Sequence, residues 1–168
     1  MKFYSIPKFF NDEELEQINS IIDEGEWSIA ASSTQLERKT KIKWINKSHS
    51  FLFDKVLSGC QEANKNFGFN ITNVKEISIL KYDKGDFYSK HIDMSGCDSD
   101  RKLSIIIPLS NNYEGGETLF FTSNNPLKMP NEKNIATFFP SYIVHEVTEV
   151  TEGVRYSLVA WANGDYFK

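Results

Sequence analysis

Cysteine is nearly absent from this chain of 168 residues, which contains only Cys60 and Cys97. The two do not form a Cys-x-x-Cys pair, so the sequence excludes a disulfide framework and a zinc site built from several thiolates. This scarcity fits a reducing compartment. Cys60 falls on the apolar face of a predicted helix, where we expect an ordinary buried core residue.

Arginine is also scarce, with three residues in the chain, and the formal net charge is −4. Binding to a phosphate backbone depends on clustered cationic side chains, so we expect no nucleic-acid partner. No apolar run approaches the length of a membrane span, and the opening segment MKFYSIPKFF lacks the apolar centre of a signal peptide. We therefore expect a cytoplasmic protein that does not bind a membrane.

The length and composition indicate one globular domain with much β-structure. A chain of 168 residues can bury a core without disulfides. Phenylalanine and tyrosine favour strands, and the aromatic fraction is 14%. We predict a single domain over residues 1–168, with a helical part at about 1–70 and a β-core at about 75–165.

Two helices are predicted in the N-terminal part. The first begins after Asn11, an N-cap with Glu14 at the capping-box position, and ends at Gly25. The second runs from about Ser50 to Phe67 and stops at Gly68. Apolar residues recur at helical spacing in both, so we expect each helix to pack against the rest of the domain.

From Lys75 onward the chain consists of short strand-like runs, namely EISILKYD, DFYSKHID, LSIIIPLS, ETLFFT, NIATFFP, SYIVHEVTEV and VRYSLVAW. Their spacing suits an antiparallel sandwich or small barrel rather than alternating βα units. DKGD at 83–86 predicts a hairpin, EGG at 114–116 supplies glycines for positive φ, and PLKMP at 126–130 predicts a loop. The expected fold class is α+β, with packing helices followed by a jelly-roll-like β-domain.

His91 stands two residues before Asp93 in the segment YSKHIDMSG, and this spacing suggests a metal site. Alternate residues of a strand share a face, so both side chains could contact one ion. His145, in the strand-like run SYIVHEV, is the natural third ligand. Two imidazoles and one carboxylate form the facial triad of mononuclear non-haem Fe(II), which leaves coordination positions open for catalysis. The plainer interpretation of His145 is a core histidine with satisfied ring nitrogens.

Arg155 follows His145 by ten residues, inside the otherwise apolar run GVRYSLVAW. A guanidinium turned toward the core needs an anionic partner, and its planar fork matches a carboxylate with two parallel hydrogen bonds. A bound ligand could supply that carboxylate. The alternative is a buried ion pair within the protein, with Glu146, Glu149 or Glu152.

Three segments, in this order, resemble the Fe(II)/2-oxoglutarate-dependent dioxygenases and in particular their prolyl 4-hydroxylase-like branch: YDKGDFYSKHIDMS, RKLSIIIPLSNNYEGGETLFF and ATFFPSYIVHEVTEVTEGVRYSLVAW. The opening IPKFFNDEELEQI is similar to the start of such domains, and the resemblance is loosest at 26–70. It implies a double-stranded β-helix (jelly-roll) core behind N-terminal packing helices.

The resemblance also implies a role for each candidate residue. The ligands of Fe(II) would be His91, Asp93 and His145. Arg155 would bind the distal carboxylate of 2-oxoglutarate, Tyr82 matches a tyrosine that often contacts this cosubstrate, and Ser157 stands where a hydroxyl often assists. O2 would be the other reactant, succinate and CO2 the coproducts, and ascorbate a further cofactor of the kind this branch uses.

The branch implies hydroxylation of a C–H bond in a prolyl residue of a peptide or protein. Two alternatives stay open: a hydroxylase of a free amino acid or other small molecule, and a non-catalytic metal-binding jelly-roll domain. The loop at 94–101, rich in Ser, Gly and Asp, directly follows the metal motif. It is predicted to cover the substrate, the alternative being an ordinary hydrophilic connection.

Overall fold

A computed structural model describes residues 2–31, 37–94 and 96–166 of the chain, except for the side chain of Cys97. Within these residues the protein has helix α1 (Asp12–Asp23), helix α2 (Ser50–Asn64) and a short 3-10 helix at Gly96–Asp98. The described strands in chain order are β1 (Tyr4–Ile6), β2 (Ser28–Ile29), β3 (Arg38–Lys39), β4 (Lys41–Trp44), β5 (Asn73–Tyr82), β6 (Phe87–His91), β7 (Arg101–Pro108), β8 (Tyr113–Gly115), β9 (Thr118–Phe120), β10 (Leu127–Lys128), β11 (Ala136–Pro140), β12 (His145–Val147), β13 (Val150–Gly153) and β14 (Arg155–Asn163).

The strands form two larger sheets and one small sheet, and the neighbouring strands pair antiparallel. One sheet has seven strands in the order β1-β11-β7-β14-β5-β4-β2, and the other has five in the order β10-β9-β12-β6-β3. Strands β8 and β13 pair separately. Two antiparallel sheets with helices packed on one side confirm the predicted α+β class with a jelly-roll core.

Two apolar clusters hold these layers together. The helix-side core lies between the helices and the seven-stranded sheet, and its members include Ile18, Leu52, Val56, Cys60, Ile79, Ile105, Phe138 and Leu158. The inter-sheet core lies between the two larger sheets, and its members include Leu80, Tyr82, Ile106, Phe120, Phe139, Val147 and Val159. Strand β7 contributes to both, which explains why LSIIIPLS is an almost continuous apolar run.

The helices begin where the sequence predicts. Asn11 accepts a hydrogen bond from the Glu14 backbone N–H at 2.8 Å, and the Glu14 carboxylate accepts one from the Asn11 N–H at 2.8 Å. This is the expected capping box. Helix α2 ends at Asn64, three residues before the predicted Phe67, because the chain tightens into a turn that closes at Gly68. Cys60 is fully buried in α2 as predicted, and burial raises the pKa of its thiol to about 12.

The predicted hairpin at DKGD is wrong, although the turn itself is present. The Asp86 N–H donates to the Asp83 carbonyl at 3.0 Å, and Gly85 has a φ of +84°. Strand β5 before the turn lies in the seven-stranded sheet, however, and β6 after it lies in the five-stranded sheet. Turn residues specify a local reversal of the chain, whereas tertiary packing decides which strands pair.

The prediction of a loop at PLKMP is wrong in part, because it contains strand β10, which pairs with β9. Met129 next to this strand is buried, and its N–H donates to the Thr118 carbonyl at 2.9 Å. The lid at 94–101 stays a prediction, and Ser95 within it lies outside the described residues. None of the described helices is both long enough and apolar enough to cross a membrane.

Candidate metal centre and cosubstrate cavity

The ends of two paired strands bring His91, Asp93 and His145 together. His91 is the last residue of β6, His145 is the first residue of β12, and the two are direct partners across these strands. Asp93 lies in a bend just after β6, where its backbone N–H donates to the Ser141 carbonyl at 3.0 Å. We expected His91 and Asp93 to share one face of a continuous strand. Instead, the strand ends at His91 and Asp93 lies in the bend that follows, yet the two side chains still converge.

The three side chains form a compact cluster of metal-ligating atoms. One ligand atom from each of His91, Asp93 and His145 lies within 4.8 Å of the others. The His91 Nε2 atom is 3.5 Å from Asp93 Oδ1, and the His145 Nε2 atom is 3.7 Å from Asp93 Oδ2. Two imidazole nitrogens thus face one carboxylate, which is the donor set of a facial triad. These three residues could hold one metal ion.

Backbone carbonyl groups fix which nitrogen of each ring is free. The His91 Nδ1 atom lies 2.8 Å from the Ser89 carbonyl oxygen, and the His145 Nδ1 atom lies 3.0 Å from the Ile143 carbonyl oxygen. A carbonyl oxygen only accepts, so each Nδ1 carries the proton and each Nε2 keeps its lone pair. Both Nε2 atoms are therefore ready to bind a metal.

Asp93 is held in its ionised form. Burial opposes ionisation of this carboxylate, but the neighbouring His145 and His91 side chains and the hydrogen bond from Ser104 together outweigh it, so the pKa of Asp93 lies well below its ordinary value. The Ser104 hydroxyl donates to Asp93 Oδ2 at 2.6 Å and lies 3.0 Å from the Ser141 hydroxyl. Burial lowers the pKa of His145, which favours the neutral ring that binds metals.

Ser104 is a functional candidate that the sequence analysis missed. It occupies β7, beside the strand that carries Arg155, and is fully buried. In the sequence it is one serine within LSIIIPLS, and no local spacing connects it with Asp93, eleven residues before it. A polar residue inside a continuous apolar strand was the only available signal.

Arg155 is buried, with 2% of its surface exposed. Its Nη1 donates to the Ser157 hydroxyl and its Nη2 to the Thr118 hydroxyl, each at 3.1 Å. Its Nε has no hydrogen-bond partner, and no carboxylate among the described residues forms an ion pair with it. The alternative of an ion pair with a neighbouring glutamate is therefore wrong.

Tyr82 and Ser157 both lie beside Arg155. Tyr82 is paired with Arg155 across β5 and β14, and the guanidinium carbon is 5.0 Å from the centre of its ring. Burial raises the pKa of Tyr82, so its hydroxyl stays protonated. Thr118 on β9 was not predicted, because only the tertiary fold brings it within reach of a residue 37 positions away.

One cavity of about 460 Å³ is lined by the three metal-ligating residues together with Tyr82, Arg155 and Ser157. Alternate residues of β14 form one wall, with Arg155, Ser157, Val159 and Trp161 facing it. The metal-ligating cluster faces the same space from the other sheet. The cavity is large enough for a small dicarboxylic acid next to a metal ion, with further room toward its mouth.

Fold and site together define a class of protein: a double-stranded β-helix that places a two-histidine, one-aspartate cluster between its sheets. Comparison with family models gives a match over residues 77–163 to the 2OG-Fe(II) oxygenase superfamily. This chain belongs to that superfamily. It is a 2-oxoglutarate-dependent dioxygenase whose cofactors are Fe(II), 2-oxoglutarate and O2.

Two curated relatives illustrate similarity along nearly the whole chain. A PKHD-type hydroxylase of Prochlorococcus marinus (strain MIT 9301) is 29% identical over 175 aligned positions, which cover 94% of this chain and 77% of the relative. A PKHD-type hydroxylase of Picosynechococcus sp. (strain ATCC 27264 / PCC 7002 / PR-6) is 27% identical and covers 95% of this chain and 77% of its own length. These similarities do not favour a non-catalytic domain.

Solved structures confirm the fold. A Pseudomonas putida prolyl-4-hydroxylase superposes with a TM-score of 0.82 at 19% identity, covering 98% of this chain and 93% of that one. A Trichoplax adhaerens prolyl hydroxylase, in complex with a hypoxia inducible factor peptide fragment, gives a TM-score of 0.82 at 22% identity, with 96% and 83% covered.

Proposed function

We propose that this protein hydroxylates a prolyl residue in a peptide or protein, with Fe(II) held by His91, Asp93 and His145. Arg155 binds the distal carboxylate of 2-oxoglutarate. The observation that carries the proposal is the convergence of three ligand atoms within 4.8 Å in the same cavity as a buried guanidinium. The substrate class is supported by relatives described as PKHD-type hydroxylases and by a similar fold described as a prolyl hydroxylase in complex with a peptide.

The donor set fits ferrous iron. Two Nε2 atoms with free lone pairs and one ionised carboxylate provide neutral and anionic ligands without any thiolate. Three protein ligands leave coordination positions for the cosubstrate and O2. Three hydrogen bonds hold the ligands in position: the Ser104 hydroxyl donates to the Asp93 carboxylate, and the Ser89 and Ile143 carbonyls accept from the Nδ1 atoms of His91 and His145.

The guanidinium of Arg155 fits a carboxylate of 2-oxoglutarate. Its two terminal nitrogens are positioned by Ser157 and Thr118, while its Nε keeps an unused donor in a buried site. A buried guanidinium without an anion is unfavourable, and a bidentate carboxylate relieves this. Ser157 and Thr118 therefore act as positioning residues for Arg155, and the Tyr82 ring supports the same group.

When bound together, iron, 2-oxoglutarate and O2 supply the oxidation of a substrate C–H bond, with succinate and CO2 as coproducts. The chain itself contributes orientation and a dry environment. Arg155 fixes one end of the cosubstrate, and the imidazole and carboxylate ligands fix the metal. Apolar side chains on the inner walls, Leu80, Ile106, Val147 and Val159, exclude water from the reacting groups.

The assignment of Arg155 is tested by anaerobic titration of Fe(II) and 2-oxoglutarate, monitored through the weak visible absorption band of their chelate. We expect a band in the wild type. In Arg155→Gln, loss of charge-assisted hydrogen bonds worth about 1.5–3 kcal/mol weakens 2-oxoglutarate binding roughly ten- to hundredfold. Arg155→Lys retains the charge without the planar fork and should be intermediate. A wild-type affinity in Arg155→Gln would contradict the assignment.

The reaction is tested by succinate release and by mass spectrometry on proline-containing peptides and free amino acids. We expect one added oxygen atom on a peptide proline, with succinate formed in equal amount. Peptides in which proline is replaced by alanine serve as controls. Modification of free amino acids alone would replace the peptide proposal with the small-molecule alternative.

A further inference from the structure

The three arginines of the chain, Arg38, Arg101 and Arg155, all line the same cavity. Arg155 lies deep inside it and is assigned to the cosubstrate. Arg101 has two acidic partners, Glu76 at 3.4 Å and Asp98 at 3.3 Å. Its guanidinium also lies over the Trp161 ring at 3.9 Å. The charge of Arg101 is thus compensated within the protein.

Arg38 is different from the other two. Its Nε is buried without a hydrogen-bond partner, and no carboxylate among the described residues forms an ion pair with it. Its guanidinium carbon lies 4.4 Å from the centre of the Tyr88 ring, its partner across β3 and β6. The next residue, Lys39, faces away from the cavity and pairs with Asp86 at 3.2 Å.

Arg38 lies close to the metal-ligating cluster. The centre of the Tyr88 ring is only 3.5 Å from that of the His91 ring. The distance from the Arg38 guanidinium carbon to the centre of the His91 ring therefore cannot exceed the sum of the Arg38–Tyr88 and Tyr88–His91 distances. An extended peptide advances about 3.3–3.6 Å per residue. An anion at Arg38 would accordingly belong to a residue within about two positions of the one being hydroxylated.

Other groups on the cavity walls suit a peptide. The Ser78 hydroxyl, fully buried, and the Trp161 indole N–H both lack a hydrogen-bond partner and line the cavity. Peptide carbonyl oxygens are the natural acceptors for such donors. Trp44 and Ile29, also part of the lining, are 53% and 83% exposed and offer apolar contact area at the mouth.

We propose that Arg38 binds a carboxylate of the substrate, so that the protein selects peptides with an acidic group within about two residues of the target proline. This inference rests on the proposed function, because it assigns the outer half of the same cavity. The carboxylate can come from an Asp or Glu side chain or from a peptide C-terminus.

The test measures equilibrium binding without turnover. Protein loaded with Mn(II) and 2-oxoglutarate is titrated with peptides, and intrinsic tryptophan fluorescence reports binding because Trp44 and Trp161 line the cavity. The peptides are acetylated and amidated, contain one proline, and carry Glu or Gln at the adjacent or next position. A further pair without acidic side chains ends either in a free acid or in an amide one residue after proline, which separates a side-chain carboxylate from a terminal one.

We expect wild-type protein to bind the acidic member of at least one pair about ten- to a hundredfold more tightly than its neutral match. Arg38→Gln should reduce this ratio to about one, and Arg38→Lys should retain part of it. Lys39→Gln is the matched control, since it removes a neighbouring charge that faces away from the cavity, and it should retain the full ratio.

Equal binding of acidic and neutral peptides by the wild type, or a ratio unchanged in Arg38→Gln, would overturn the inference. Hydroxylation is measured separately on the Fe(II)-loaded protein. If peptides are hydroxylated without acidic preference, only this inference fails. If acidic peptides bind through Arg38 but proline gains no oxygen, only the proposed reaction fails.

Discussion

The most informative single residues surround the metal cluster rather than forming it. The histidine rings owe their tautomer to the carbonyl groups of Ser89 and Ile143, and Asp93 owes part of its low pKa to Ser104. Such contacts orient ligands before a metal arrives, which raises affinity because less freedom is lost on binding. The serine hydroxyl can be removed without touching a ligand.

Ser104→Ala should weaken Fe(II) binding roughly 10- to 100-fold, because the Asp93 carboxylate loses a hydrogen bond at 2.6 Å. Anaerobic titration of the metal-free protein with Fe(II) measures this affinity. Ser5→Ala serves as control, since it also removes a hydroxyl bond in the seven-stranded sheet, to Thr137 at 3.0 Å. Equal affinities in both variants would show that Ser104 does not position the ligand.

Helix α2 packs closely against the core at Gly59. A Cβ atom at this position would lie 2.6 Å from Phe9 Cε2 and 2.9 Å from Phe138 Cζ. Both rings are buried in the helix-side core, so they have little room to move. Glycine inside a helix is intrinsically unfavourable, and the close packing around position 59 explains why a residue without a Cβ atom stands there.

Gly59→Ala should therefore lower the free energy of unfolding, by up to about 2 kcal/mol. Overpacking against the two rings, about 1–3 kcal/mol, outweighs the gain in helix propensity of about 1 kcal/mol. Urea denaturation followed by circular dichroism measures the difference. Ser58→Ala, on the exposed side of the same helix, should leave stability within about 0.5 kcal/mol of wild type. An increase in stability of Gly59→Ala would contradict the close packing.

On the scale of the whole molecule, the helices and both sheets depend on one another. The helix-side core combines side chains from α1, α2 and the seven-stranded sheet, and the inter-sheet core joins that sheet to the metal-bearing one. We propose on this basis that residues 1–168 act as a single catalytic domain. One cooperative unfolding transition, seen alike by fluorescence and circular dichroism, is expected.

The buried carboxylate of Asp100, immediately before β7, should make the free energy of unfolding depend on pH. Burial of Asp100 opposes its ionisation, but the hydrogen bond and charge of Lys75 and the hydrogen bond from Asn163 together outweigh this, so its pKa is lower than its ordinary value of 3.8. A depressed pKa stabilises the folded state above the unfolded pKa, and this contribution is lost as the pH falls through the folded value.

Asp100→Asn should lower the free energy of unfolding at pH 7 by about 1–3 kcal/mol, because a charge-assisted hydrogen bond is lost. The difference from wild type should be constant above about pH 5 and shrink below the ordinary carboxyl pKa. Urea denaturation across this range tests it, with the exposed Asp54→Asn as control. A difference that persists unchanged at about pH 2–3 would indicate that the ionised form of Asp100 is not responsible.

The sequence by itself determined the features that local chemistry controls. The capping box at Asn11, the spacing of the strand-like runs after Lys75 and the choice of His91, Asp93, His145 and Arg155 as candidates all depend on residue types and short spacings. Fold class followed from these periods, and the family resemblance from the order of the motifs. The turn at DKGD was also correct as a turn.

Tertiary structure decided what depends on residues distant in sequence. It placed the strands on either side of DKGD in different sheets, brought Thr118 to Arg155 and Ser104 to Asp93, and turned Arg38 into the same cavity. Helix caps and strand periods involve only a few neighbouring residues. Ligand tautomers, partners of a buried guanidinium and the charge of a cavity wall arise only when packing of the whole core brings separate strands together.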